Sequence, residues 1–160
     1  MASIESSADS AAWTADSAFR RFLLFGVAGR LCACDLEAVR EIIPARAATR
    51  LPGAPEWVSG LINLRGTLLT VVDLAVRFGP VDGAGAGNSI IVAEGAGKVF
   101  GIGVDAVRDV QAVDGGALEE VDAKRAYGGI VRGVLYVGVS SAEAALVVDV
   151  AEVARQALVV

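Results

Sequence analysis

Three short motifs recur in the same order along this chain, and together they limit what it can become. Ala38-Val39-Arg40-Glu41-Ile42 returns as Ala106-Val107-Arg108-Asp109-Val110, and Gly60-Leu61-Ile62-Asn63-Leu64 returns as Gly133-Val134-Leu135-Tyr136-Val137. Val71-Val72-Asp73-Leu74 returns as Val147-Val148-Asp149-Val150, so the offset grows slowly from 68 to 73 to 76 residues. A shared order at slowly growing spacing is what a duplicated unit with small loop insertions produces. The repeated pieces are strand-length apolar runs, the last closed by an aspartate. Each unit is therefore expected to be a β module that ends in a one-turn helix capped by Asp. Many short strands, Gly-rich turns and few helices favour small barrels. The modules are expected over about residues 19–80 and 88–150, with strands able to exchange between them.

Residues 1–17 are rich in Ser, Ala and Asp around an isolated Trp13, and are expected to form a loose tail. From Phe19 the strand signals dominate. Arg21–Val27 and Arg30–Cys34 read as a hairpin about Ala28-Gly29. Asp35 is expected to cap a short helix through Ile43, with Leu36, Val39, Ile42 and Ile43 on its buried stripe and Pro44 closing it. Leu51-Pro52-Gly53-Ala54-Pro55 is a stiff loop, followed by two strands about Arg65-Gly66 and a second short helix from Asp73 to Phe78. Residues 79–87 are the clearest internal break. Strands are expected near 89–94, 98–104, 107–113, 130–139 and 144–149, and a terminal helix over 150–157.

Composition excludes several function classes. The chain of 160 residues is 54% hydrophobic and 21% charged, well outside the disordered range. No run of about 18 residues escapes charge or turn residues, so no membrane span is expected. The amino terminus has no basic region ahead of an apolar core, which gives the expectation of a cytoplasmic protein. A net charge of −5 argues against a nucleic-acid partner. Histidine is absent, which removes His-based acid/base catalysis, phosphohistidine transfer, Ser-His or Cys-His nucleophiles and His-ligated metals. Cys32 and Cys34, two residues apart on one strand face, are poorly placed for a disulfide and too few for a zinc site. They read as small core residues.

The remaining candidates divide unequally. Asp35, Asp73 and Asp149 stand at strand-to-helix junctions and read as caps; Glu41 and Asp109 read as surface groups and Glu119-Glu120 as a polar loop. Gly83-Ala84-Gly85-Ala86-Gly87 lacks the Lys-Ser/Thr of a phosphate loop, and Gly101-Ile102-Gly103 reads as a bend or bulge in a strand. Arg65 differs from all of these. It sits at the tip of an otherwise apolar hairpin, where Asn-Gly or Asp-Gly would serve the backbone better. Its fork can seat a carboxylate or carbonyl, as arginines at interaction hot spots do. The matching strand of the second half carries no arginine there.

From Phe19 to Leu158 the chain resembles the CheW family of chemotaxis coupling proteins. The resemblance is carried by Leu36–Ile42, the proline loop 51–55, the block Gly60-Leu61-Ile62-Asn63-Leu64-Arg65-Gly66 leading to Val71-Val72-Asp73-Leu74, Phe100–Val107 and Ala145–Val150. It implies an all-β fold with a few short helices: two SH3-like five-stranded β-barrels packed side by side, over residues 18–158. It further implies a non-catalytic cytoplasmic scaffold, with no cofactor or metal, that couples chemoreceptors to the histidine kinase CheA. The receptor's helical tip would dock between the barrels, and the kinase's CheW-like regulatory domain would pack against a barrel surface. By position, Val39, Arg65, Ile90 and Ile91 match places associated with receptor contact, although alternation along a strand allows at most one of the two isoleucines to be exposed. Glu41 matches a kinase contact. Gly60, Asn63, Gly66 and Asp73 belong to the structural signature. Thr70 stands where the family has proline, and Ser59 where a basic residue is common. No ATP-binding, phosphotransfer or receiver region is present, so the chain is neither CheA-like nor CheV-like.

Two alternatives accompany this reading. One is a CheW-like adaptor of a non-flagellar pathway controlling surface motility or second-messenger output. The other is a small-ligand-binding β-barrel or an enzyme using Asp and Cys.

Overall fold

The computed structural model describes residues 19–79, 87–114, 117–121, 127–138 and 142–158. The first half runs β1 (Phe19–Val27), β2 (Arg30–Asp35), β3 (Val39–Pro44), β4 (Val58–Leu64), β5 (Thr67–Asp73) and α1 (Leu74–Phe78). The second half runs β6 (Ser89–Gly95), β7 (Lys98–Val104), β8 (Ala106–Asp114), β9 (Leu118–Glu120), β10 (Val131–Val137), β11 (Glu143–Val148) and α2 (Val150–Ala157). None of these helices is long and apolar enough to cross a membrane.

The strands form two sheets, ordered β3-β6-β7-β5-β4 and β9-β10-β11-β2-β1-β8. They build the two SH3-like barrels, called A and B here. Matching β3, β6, β7, β5 and β4 with β8, β1, β2, β11 and β10 reproduces one order from the other, with β9 as an extra edge strand. Both sheets contain one parallel pair at the equivalent place, β5 with β7 and β11 with β2. The hairpins are exchanged between halves. β1–β2 completes the sheet of β8, β10 and β11, and β6–β7 completes that of β3, β4 and β5.

Strand alternation explains how two barrels share one core. Phe22 and Leu24 point into barrel B with Ala33, Leu135 and Val147, while Leu23 and Phe25 point the other way into a central cluster. Ile90 and Val92 likewise line barrel A with Ile62, Leu69 and Val71, while Ile91 and Ala93 join the central cluster. Both hairpins are thus buried on both faces and carry nearly unbroken apolar runs. Two-residue turns close three hairpins, Ala28-Gly29 (φ 52° and 80°), Arg65-Gly66 (50° and 88°) and Ala96-Gly97 (51° and 76°). Positive φ at both central residues is the turn type whose twist suits a tight hairpin.

Several expectations fail. The helix expected over 35–43 is a single 3-10 turn, Leu36–Ala38, followed by strand β3. Val39, Ile42 and Ile43 are β-branched, and pairing with β6 outweighs the helical spacing. Asp35 makes no cap; its carboxylate accepts from Arg20 at 2.7 Å and Arg132 at 2.8 Å. Gly101 and Gly103 sit in an unbroken β6–β7 register rather than at a bulge. A Cβ at Gly101 would lie 2.8 Å from Ile90 Cγ2, so the glycine makes room inside the barrel. Glu119 and Glu120 belong to β9 rather than to a loop. Asp73 and Asp149 do cap their helices, accepting from the Ala75 and Glu152 amides at 2.9 and 3.1 Å. The tail with Trp13, and all of the glycine run except Gly87, fall outside the described residues.

Candidate functional site

A small sheet curled into a barrel leaves two edge strands facing each other, and here those seams hold the exposed charges of interest. In barrel A the edges are β3 and β4. Arg65, at the tip between β4 and β5, pairs with Glu41 of β3 across the seam. Arg46 donates to the Asn63 carbonyl at 3.1 Å, and Thr49 and Leu61 exchange backbone hydrogen bonds of 2.8 Å. Asn63 Oδ1 accepts from the Gly66 amide at 2.8 Å and so holds the tip. Gly60 lets the seam close: its φ is 142°, and a Cβ there would fall 2.1 Å from the Thr49 carbonyl oxygen. Ser59 occupies the register shift beside it, and Thr70 pairs with Leu61 without breaking the hairpin.

Arg65 has a left-handed backbone and an exposed head. Left-handed φ disfavours any residue with a Cβ other than Asn or Asp, and the other two hairpins place a short alanine at the same turn position. The Arg65 side chain is 69% exposed, against 36% for Glu41. An exposed pair of this kind stabilises by at most about 1 kcal/mol. The residue is therefore retained against backbone preference, in an ion pair too weak to justify it.

The seam of barrel B is closed with reversed polarity. Arg108 on edge strand β8 donates to both carboxylate oxygens of Glu143, at 3.3 Å each, at the start of β11. Hydrogen bonding to Glu143 holds the Arg108 guanidinium in its charged form even more firmly than usual. Both edge strands carry an arginine followed by an acid, but the pair uses the acid of the edge strand in barrel A and its arginine in barrel B.

A second feature lies on the opposite faces of the edge strands. Val39 stands opposite Ala93 and Ile42 opposite Ile91; Val107 stands opposite Phe25, and Val110 lies opposite Leu23. Residues directly opposite share a face, so all four edge residues point toward the central cluster. Val39 and Val107 are half-buried against it, together with Leu36. Ile42 and Val110 remain 44% and 46% exposed. The turn Leu36–Ala38 contacts both β1 and β6, one strand from each sheet.

Of the residues singled out in the sequence, Arg65 and Glu41 come together with Asn63 and Gly66 at one seam, whereas Val39 lies on the other face of β3. Ile90 and Ile91 are both buried, at 3% and 0% exposure, because β6 has a core on each side. They belong to the packing and offer no surface to a partner. Ile42, Val110, Arg108 and Glu143 were not singled out. The repeat that aligns Ile42 with Val110 was the available signal for the first two. Cys32 and Cys34 are fully buried, and burial pushes each thiol up to about 12. Among the described residues no His/Cys/Asp/Glu cluster could hold a metal.

Residues 21–158 match the CheW-like domain family. A "probable chemotaxis protein CheW" of Rhizobium etli is 40% identical over 96 residues, covering 59% of this chain and 61% of that protein. The "chemotaxis protein CheW" of Rhizobium meliloti is 39% identical over 95 residues, with 59% and 61% covered. The matched stretch thus spans about three fifths of these relatives' length. The crystal structure of the "scaffolding protein TtCheW" of Thermoanaerobacter tengcongensis superposes with a TM-score of 0.70 at 27% identity, covering 81% of this chain and 88% of that one.

Proposed function

This chain belongs to the CheW family, and we propose that it is a non-catalytic adaptor that couples chemoreceptors to the histidine kinase CheA. The observation that carries the reading is Arg65: an exposed guanidinium kept in a left-handed turn position that alanine fills elsewhere. Its tip, with Glu41 beside it, is a charged docking point on barrel A. A carboxylate or carbonyl of a partner can displace Glu41 from the fork with little loss, since both groups are already solvated. The aliphatic strips on β3 and β8 supply the complementary apolar contact. Val39 and Val107, half-buried against the central cluster, and the more exposed Ile42 and Val110 would offer apolar contact to the ridge of a receptor helix lying between the barrels. The opposite polarity of the two seams suits head-to-tail packing of CheW-like folds, the arrangement by which the kinase's regulatory domain would engage barrel A. Metal ligands and histidine contribute nothing to this reading, and the buried thiols stay unreactive at neutral pH.

Co-sedimentation with receptor fragments and CheA tests it. Arg65→Glu is expected to stay folded and to lose receptor coupling, while keeping at least part of its kinase binding. Undiminished ternary assembly and kinase control in that variant would remove Arg65 from the site. Undiminished receptor binding after Ile42→Asp together with Val110→Asp would remove the strips.

A further inference from the structure

We propose that Arg77 is a positioning residue: with Trp57, Tyr127 and Gln156 it forms a polar clasp that fixes one barrel against the other. Arg77 lies on α1 of barrel A, its guanidinium stacked 4.2 Å from the centroid of the buried Trp57 ring. Its Nη2 donates to the Tyr127 carbonyl at 3.1 Å and to Gln156 Oε1 at 2.8 Å. Tyr127 lies in the turn ahead of β10 of barrel B, and Gln156 lies on α2, which follows β11 of barrel B and packs on β6 of barrel A. Gln156 Nε2 donates back to the Gly128 carbonyl at 2.8 Å, closing a ring of contacts. Phe78 meets the Tyr127 ring edge-on at 5.0 Å, and Arg30 of β2 donates to the Phe78 carbonyl at 3.1 Å.

The turn is shaped around the guanidinium. Tyr127, Gly128 and Gly129 all have left-handed backbones (φ 50°, 73° and 94°), a costly conformation for tyrosine. A Cβ on Gly128 would fall 2.1 Å from Arg77 Nη2. The duplication shows that the fold itself does not need this. The Asp73 amide donates to the Trp57 carbonyl as the Asp149 amide donates to that of Ile130, so Trp57 corresponds to Ile130. Arg77, four residues after its cap, corresponds to Val153. Ile130 and Val153 are both fully buried, and an aliphatic pair suffices on that side. Apolar contact is non-directional, whereas a stacked guanidinium fork with two fixed acceptors sets an angle. The clasp therefore determines how the β3 and β8 strips face each other, and in this respect it rests on the adaptor reading above.

The test uses the full chain with Trp13→Phe, which leaves Trp57 as the single tryptophan. Arg77→Met and Arg77→Lys are compared with the parent for Trp57 emission, for amide exchange at residues 127–129, and for binary affinities and kinase control with receptor fragments and CheA. In both variants Trp57 emission is expected to shift and exchange at 127–129 to rise at least about tenfold. Receptor affinity and kinase control should each fall at least about fivefold while affinity for CheA alone stays within about twofold. Lysine should fail to rescue because it lacks the planar fork. Unchanged emission and exchange would overturn the clasp, as would an unchanged receptor affinity or a CheA affinity that falls in step with control. If Arg77→Met does not fold, Gln156→Leu, which leaves the stacking intact, must raise exchange at 127–129 or the proposal fails. A parent protein that binds neither partner would defeat the adaptor reading alone; emission and exchange would still decide the clasp.

Discussion

Barrels A and B share a strand order but fill it differently, and the differences separate what the fold requires from what it has been used for. Inside the central cluster the exchange is conservative. Phe25 faces Cys32 in barrel B, and at the corresponding rungs of barrel A, Ala93 faces Phe100. The large residue has changed strands and the pair keeps a similar volume. On the surface the exchange is not conservative. Barrel A has a cation at its hairpin tip and a carboxylate on its edge strand, and barrel B has the reverse. The edge strands keep an arginine followed by an acid in both copies, and what differs is the group each seam uses, as expected if the seams meet different partners.

The comparison breaks most sharply at the two seam glycines. Gly60→Ala forces a Cβ into the Thr49 backbone at a φ of 142°, and should cost about 3–4 kcal/mol in chemical denaturation. Gly133→Ala meets Leu118 Cδ1 at 2.8 Å and the Glu119 carbonyl at 2.9 Å, with ordinary φ, and should cost about half as much because β9 can shift. Equal losses would mean that the seams are closed with equal stringency. Arg65→Asn comes next. It suits the left-handed position better than arginine, so it should retain stability or gain up to about 0.5 kcal/mol, while receptor affinity falls about 10- to 100-fold. A protein destabilised by this change would contradict the strain argument.

The thiols distinguish the barrels by pH. Cys32 and Cys34 are protonated in the fold up to about 12, against an ordinary value of 9.0. Below pH 9 both states hold the proton and stability is unaffected. Above it the unfolded chain releases protons that the native state keeps, and stability falls by about 1.4 kcal/mol per thiol per pH unit. The corresponding residues of barrel A, Phe100 and Ile102, cannot titrate. Replacing both cysteines by alanine should therefore flatten the loss between pH 9 and 11, whatever it costs at pH 7. An unaltered slope would show that these thiols are not the source. The smallest effect should be the most symmetrical: Asp73→Ala and Asp149→Ala each remove one cap and should each cost about 1 kcal/mol by thermal denaturation.

Much of this architecture was legible in the chain. The repeat, the Gly-containing turns and the capping aspartates are local signals, and they located most strands and both helices. The short segment after Asp35 reads as helix because Leu36, Val39, Ile42 and Ile43 satisfy a helical period as well as a strand, and only the partner strand β6 decides between them. Asp35 reads as its cap because the partner that occupies its carboxylate, Arg132, lies far along the chain. The charged tip of Arg65 was visible because arginine contradicts the turn. Its pairing with Glu41 was not, because barrel closure is a three-dimensional event. Ile90 and Ile91 show the limit of transferring contacts by position: a strand between two cores has no free face, and burial on both sides follows only from knowing which sheet the hairpin joins.

That hairpin exchange also bears on the order in which the molecule can be assembled. Barrel A has all its strands once Val104 has been synthesised, whereas barrel B lacks β10 and β11 until Val148. Cys32 must wait for Leu146 to complete its parallel pairing. Until then Phe22 and Leu24 have no interior to enter, and the first hairpin made is among the last to be fully buried. Such long-range pairing slows folding and leaves an apolar edge open during synthesis. A chain cut short before β11 would lose more than its last strand, because its first hairpin would be left without a barrel.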